Sequence, residues 1–324
     1  MELLKKLCEA FGPSGCETEI SEVIKKEMEG FVDEIYSDSM GNLICHKKGN
    51  GKRIMYAAHM DEIGLMVTFV EKNGYLRCTQ IGYLPPHFSI NRFVKFENGT
   101  VGIVAYEKEH ESAMKQDKVF IDIGAETREE AEKLVDVGDT CAVISDFYKI
   151  GNKVASKTLD NRASCYALIR AAKEMNSDND IYYVFTTQEE VGLRGAGPAA
   201  YKIEPDYAIC IDVTMNGDTP ECDKNSLKLG GGTAIKVMDH SVITGLEIRN
   251  KLIALAKKNG ISYQMEVITG GGTDAGAIHT SKGGVLTGAI SIPMRYIHTA
   301  TETADLSDIE NTVKLIKAFG EAEF

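Results

Sequence analysis

Apolar positions along the chain keep a helical rhythm in some stretches and form short strand-like runs in others, and the rhythm changes twice. Ile20, Val23, Ile24 and Met28 recur at helical spacing between Ser14 and Gly30, so an amphipathic helix is predicted over residues 17–29. Two strands follow, Asn42–Lys47 and Lys52–Ala58, on either side of the turn-rich Lys48-Gly49-Asn50-Gly51. The second runs into Ala58-His59-Met60-Asp61-Glu62, which places His59 and Asp61 at a strand's carboxyl end.

From about residue 66 to 155 the runs shorten. Asn73-Gly74 and Asn98-Gly99 are strong signals for tight hairpin turns. One helical pattern, Thr127–Val135, lies between the runs Lys118–Ile123 and Thr140–Ile144. This predicts a small β-rich unit, a barrel or sandwich, inserted into a larger domain. After Ser156 strand and helix alternate: helix 161–175, strand 181–187, strand 206–211 ending at Asp212, helix 241–258 stopped by Asn259-Gly260, strand 262–268, strand 285–290 and helix 307–319. The fold class expected is therefore α/β, a mixed sheet flanked by helices with an inserted small β-barrel domain. Residues 1–65 and 156–324 would form the catalytic domain, and 66–155 the insert.

Composition changes this picture little: 43% hydrophobic and 26% charged residues are ordinary for a globular protein. Charge narrows the partners. A formal charge of −12 with no long Lys/Arg cluster argues against nucleic acid and suits cation binding. Cysteines at 8, 16, 45, 78, 141, 165, 210 and 222 contain no C-x-x-C pair, so neither a thiolate zinc site nor a disulfide framework is expected. The amino terminus lacks a signal-peptide apolar region, and no run approaches the ~18 apolar residues of a membrane span. A cytoplasmic protein without membrane contact is expected.

The candidate chemistry centres on Thr186-Thr187-Gln188-Glu189-Glu190-Val191-Gly192, where two adjacent carboxylates follow the apolar run Ile181–Phe185. Burying neighbouring carboxylates is unfavourable unless cations offset them. His59, Asp61, Asp160, Glu189, Glu190, Asp212 and His298 all fall at predicted strand ends or in the turns beyond them, where ligands of open α/β sheets bind. Imidazole and carboxylate together suit zinc or a similar first-row ion, and one carboxylate can bridge two ions. Plainer readings stand beside these: Asp160 as a helix N-cap, Asp212 as a turn residue, and His46, His87, His110 and His240 as structural histidines. The glycines at 230–232 and 270–272 lack a dinucleotide or phosphate-loop context, and neither G-x-S-x-G nor H-E-x-x-H occurs.

Six ordered segments resemble the motifs of the M42 family of dinuclear metallo-aminopeptidases, which includes tetrahedral and glutamyl aminopeptidases. They are Ala58-His59-Met60-Asp61-Glu62-Ile63-Gly64, Leu159-Asp160-Asn161-Arg162, Thr187 through Ala196, Asp212-Val213-Thr214, Gly271-Gly272-Thr273-Asp274-Ala275 and Arg295-Tyr296-Ile297-His298-Thr299. The resemblance implies a zinc-peptidase-like fold and two divalent ions per subunit, zinc first and cobalt second. It implies that His59 and Asp212 hold one ion, Glu190 and His298 the other, and that Asp160 bridges them. Glu189 would then be the general base acting on a water shared by the ions, with Asp61 fixing the tautomer of His59. Gly271, Gly272, Thr273 and Asp274 would line the substrate site, and short peptides would be the substrates. A homo-oligomer, a tetrahedral dodecamer, is implied as well. The segment Tyr106–Glu111 departs from a Pro-His segment that many relatives carry. Three other readings stay open: a non-catalytic metal-binding or scaffold protein, which would leave Glu189 idle, a dimetal deacylase or carboxypeptidase, and an endoglucanase-like glycoside hydrolase. Against the last, the chain has no Trp to build a sugar platform.

Overall fold

Two hydrophobic cores organise the protein, described here from a computed structural model for residues 1–107, 114–222 and 227–324. His110 and most of the Tyr106–Glu111 segment lie outside the described residues. The larger core is built on a mixed sheet whose centre is four mutually parallel strands in the order Asp180–Thr186, Arg53–His59, Tyr207–Met215, Leu286–Arg295. Such strands are covered on both faces, which explains their nearly unbroken apolar runs. Along Arg53–His59 alternate residues face opposite ways. Ile54, Tyr56 and Ala58 pack with Ile20, Ile24, Leu168, Leu252 and Ile316, whereas Met55 and Ala57 pack with Ala196, Ala199, Ala200 and Ile278. The result is three layers, helix, sheet, helix.

The sheet is extended by antiparallel strands: Leu43–Lys47 and Glu34–Ser37 on one side, Glu302–Asp305, Lys153–Ser156 and Tyr148–Ile150 on the other. Thr233–Met238 and Tyr263–Val267 form a parallel pair joined to Leu286–Arg295.

The second core fills a closed antiparallel barrel of Gly64–Val70, Leu76–Ile81, Phe93–Phe96, Val101–Tyr106, Val119–Asp122 and Thr140–Val143. Both Asn-Gly turns are present: Gly74 N–H donates to Glu71 O at 3.1 Å, and Gly99 N–H to Phe96 O at 2.9 Å. Residues 148–155, which the sequence reading gives to the insert, pair with the large sheet instead, because Val154 buries against Ala304 and Ile292 rather than in the barrel.

Other boundaries shift for local reasons. The helix expected over 127–135 is limited to Arg128–Ala131, capped by Thr127, whose hydroxyl accepts Glu130 N–H. The helix expected from 241 begins at Leu246, since the residues before it turn back to bridge Met238 with Ile243. Strand 285–290 continues to Arg295, with Ile292 and Met294 buried in a further cluster. An amino-terminal helix, Glu2–Glu9, and short helices at Ala196–Ile203 and Ala275–His279 were not anticipated. No described helix is long and apolar enough to cross a membrane.

Candidate metal centre

Parallel pairing brings Thr186 level with His59, and Phe185 level with Ala58, so the two strands end together and the Glu189-Glu190 turn arrives directly beside His59. The neighbouring strand, whose Cys210 pairs with Ala57, carries Asp212 to the same level. Asp160 comes from the first turn of the Leu159–Glu174 helix, where its backbone is not yet helical, and His298 from the loop after Leu286–Arg295. Three of these loops contain a non-glycine residue with left-handed backbone: Thr158 at φ 56°, Gln188 at φ 55° and His298 at φ 63°. Side chains rarely adopt that conformation without surrounding constraint, and it clusters at functional sites.

Asp160 lies between the two histidines. Its Oδ1 is 3.2 Å from His59 Nε2 and its Oδ2 is 3.4 Å from His298 Nε2. Asp212 Oδ1 lies 3.7 Å from His59 Nε2, and Glu190 Oε2 lies 3.3 Å from His298 Nε2. Ligand atoms of His59, Asp160 and Glu190, and likewise of His59, Glu189 and Asp212, fall within 4.8 Å of one another. All five expected ligands and Glu189 therefore converge. The carboxylate of Asp160 does not cap its helix: Oδ1 is buried without a hydrogen-bond partner. Asp212 Oδ1, the oxygen that faces His59, also accepts its neighbour's Val213 N–H at 2.8 Å.

The electrostatics explain why such a cluster needs cations. Burial raises the carboxyls of Glu189, Glu190 and Asp212, and neighbouring carboxylates push them further. Burial alone would lower both imidazoles, but the surrounding carboxylates outweigh it, holding His59 well above its usual value and His298 at about 11. Asp160 is likewise raised by burial and brought down by the two imidazoles, with a net shift downward. Among the described residues no Lys or Arg forms an ion pair with Asp160, Glu189, Glu190 or Asp212. Two divalent cations would balance these four carboxylates. The orphaned Asp160 Oδ1 and the mixed oxygen and nitrogen donors fit first-row ions.

Asp61 supports the cluster more broadly than expected. The Nδ1 of His59 is 3.2 Å from the Asp61 carbonyl and 3.4 Å from its Oδ1, so Nδ1–H points to Asp61 and Nε2 faces the carboxylates. The Asp61 carboxylate also accepts Glu189 N–H at 3.0 Å, Glu190 N–H at 3.2 Å and the Ser14 hydroxyl at 2.6 Å. Those backbone contacts carry no sequence signature. Glu302, also missed, accepts N–H bonds from His298 and Asp160.

The glycine-rich turn divides. Gly271 and Gly272 are exposed, but Thr273 and Asp274 are buried, and the Thr186 hydroxyl donates to Asp274 Oδ2 at 2.5 Å. Burial raises the Asp274 carboxyl to about 7. Its side chain thus braces the strand end below Glu189 rather than opening to solvent. His46 fits its structural reading, with Nε2 2.6 Å from Asp180 and the ring stacked on Tyr182. The amides of Gly230 and Gly232 are taken by Asp308, both at 2.7 Å, leaving no open phosphate cradle.

Residues 41–315 match the family model described as M42 glutamyl aminopeptidase. The chain is 36% identical to the lysyl aminopeptidase of Pyrococcus furiosus, over 98% of this chain and 95% of that one. The aminopeptidase of the archaeon Desulfurococcus kamchatkensis superposes with a TM-score of 0.95 at 38% identity, covering 99% of this chain and 94% of that one. A peptidase of Pyrococcus horikoshii, described as able to assemble into a tetrahedron or a large octahedral shell, superposes with a TM-score of 0.88 at 36% identity, covering 98% of both chains.

Proposed function

The chain belongs to the M42 aminopeptidase family and is a peptide hydrolase, and from that premise we propose a two-metal mechanism with Glu189 as general base. The observation that carries the reading is the position of Asp160, one carboxylate oxygen toward each histidine. In this reading His59 and Asp212 would hold one ion and Glu190 and His298 the other, with Asp160 placed to serve both. Two ions held there would supply Lewis-acid polarisation of the scissile carbonyl and a water acidic enough to attack at neutral pH.

The chain's own residues do the rest. Glu189 is the member of the pair suited to proton transfer. Its side chain is 10% exposed and its carboxylate accepts no hydrogen bond among the described residues, whereas Glu190 is engaged with His298. Glu189 takes a proton from the attacking water and passes it to the leaving amine, and Asp61 holds the backbone of Glu189 while it does so. Exposed Gly271 and Gly272 leave room for an extended peptide beside the cluster. A sugar-cleaving reading would leave both imidazoles beside Asp160 without a role.

Zinc, with cobalt second, and short peptides are the cofactor and substrates we assign, and a homo-oligomer is supported by the assembling Pyrococcus horikoshii relative. The eight free cysteines suit a reducing cytoplasm. We also divide the chain into a catalytic part and an inserted barrel, Gly64–Val143, that walls one side of the centre. Ile63, Leu84, Phe88 and Val143 line a small cavity with Asp160, His298 and Glu302.

The test is a panel of aminoacyl anilides set beside carboxymethyl cellulose, using protein stripped of metal and reloaded with zinc, cobalt or manganese. Anilide cleavage that depends on metal, with the cellulose untouched, is expected. Cellulose hydrolysis, or full peptidase activity after exhaustive stripping, would overturn the reading.

A further inference from the structure

Glu302 opens the short strand Glu302–Asp305 behind the His298 side of the centre, and its side chain is buried. One oxygen accepts the N–H of His298 and the other accepts the N–H of Asp160, each at 2.9 Å. Residues 160 and 298 come from separate segments of the chain, and His298 has a backbone conformation that a non-glycine residue rarely holds unaided. His298 is left-handed at φ 63°, and Asp160 has φ −79° and ψ 103° inside a helical turn. No Lys or Arg accompanies the Glu302 carboxyl among the groups acting on it. Burying a carboxylate is costly, and here each of its two oxygens accepts a backbone amide of the site.

We propose that Glu302 is a positioning residue that clamps Asp160 and His298 as one unit and so sets the affinity of the ion on the His298 side. This rests on the two-metal reading above. Glu302 acts through backbone and does not touch the ion. It is the counterpart of Asp61, which clamps the amides of Glu189 and Glu190 from the opposite side.

The experiment is a zinc titration of the full-length, metal-stripped protein against a chromophoric chelator, with thermal melts alongside. Glu302→Gln keeps the size of the side chain but turns an amide NH2 toward one of the two N–H donors. Glu302→Asp keeps the charge but retracts both oxygens. The wild type is expected to bind two ions, with His298→Ala identifying the step on that side. Glu302→Gln should weaken this same step by roughly 10–100-fold and the other step, which shares only Asp160 with it, by clearly less, with Glu302→Asp intermediate. Unchanged affinity at both steps, or equal weakening of both together with a lowered melting temperature, would overturn the proposal. So would failure of both variants to fold, which would make Glu302 a general folding residue. A wild type that binds fewer than two ions would take down the two-metal reading, and this proposal with it.

Discussion

The carboxylate of Asp61 accepts the backbone N–H of Glu189 at 3.0 Å. A residue at the end of one parallel strand thereby sets the turn at the end of its neighbour. Its second oxygen takes Glu190 N–H at 3.2 Å, so the carboxylate pair is held by its main chain and its side chains are free for chemistry.

Asp61→Asn should therefore damage catalysis more than metal binding. The amide would set NH2 against one of the two backbone donors, while His59 keeps the Asp61 carbonyl as its Nδ1 partner. Turnover should fall on the order of 10–100-fold with metal content close to normal. Elemental analysis beside steady-state kinetics checks this, and unchanged kcat would show that the clamp on the turn is dispensable.

Asp160→Ala should empty both metal positions together, because its two oxygens face the two histidines. His59→Ala should mainly empty one. Normal metal content in the Asp160 variant would remove the bridge.

Metal uptake should release protons at neutral pH. Metal-free His298 holds its proton up to about 11, so an ion bound there must displace a proton at pH 7. Affinity should consequently rise as pH increases. Calorimetric titration in buffers of different ionisation enthalpy counts the protons, and a count of zero would contradict the electrostatic account.

The insert reaches the centre through Gly82. Its backbone is left-handed at φ 70°, and an added Cβ would lie 3.1 Å from Glu190 Cβ and 2.8 Å from a methyl of Ile63. Gly82→Ala should cost roughly 1–2 kcal/mol from backbone strain alone. It should also weaken the ion on the Glu190 side. Reversible denaturation and metal titration read the two effects separately, and a variant normal in both would detach the barrel from the site.

Much of this was legible because parallel strands buried on both faces leave continuous apolar runs, and the residues that end them announce themselves. His59, Asp61, Glu189, Glu190 and Asp212 were found that way. Short or exposed edge strands such as Glu34–Ser37 and Tyr148–Ile150 lack that contrast, which is why the insert's second boundary was set too late. The strand expected over 285–290 runs on through Ser291 and Pro293 to Arg295, with Ile292 and Met294 still buried. Glu302 was invisible for a different reason: accepting backbone N–H bonds asks nothing of the neighbouring residue types, so only the fold reveals it. Asp274 was read as substrate-facing from its glycine-rich surroundings, yet the chain turns it inward to Thr186.

The division of labour between Glu189 and Glu190 is tested most directly by metal content and turnover measured on the same preparations of Glu189→Gln and Glu190→Gln. Glutamine keeps size and polarity but is a poor proton acceptor. Glu189→Gln should retain two ions and lose on the order of 10²–10⁴-fold in turnover. Glu190→Gln should lose most of one ion, with part of its activity returning in excess metal. Loss of metal from Glu189→Gln together with a fully loaded, inactive Glu190→Gln would reverse the two roles, and full peptidase activity in both would contradict the site itself.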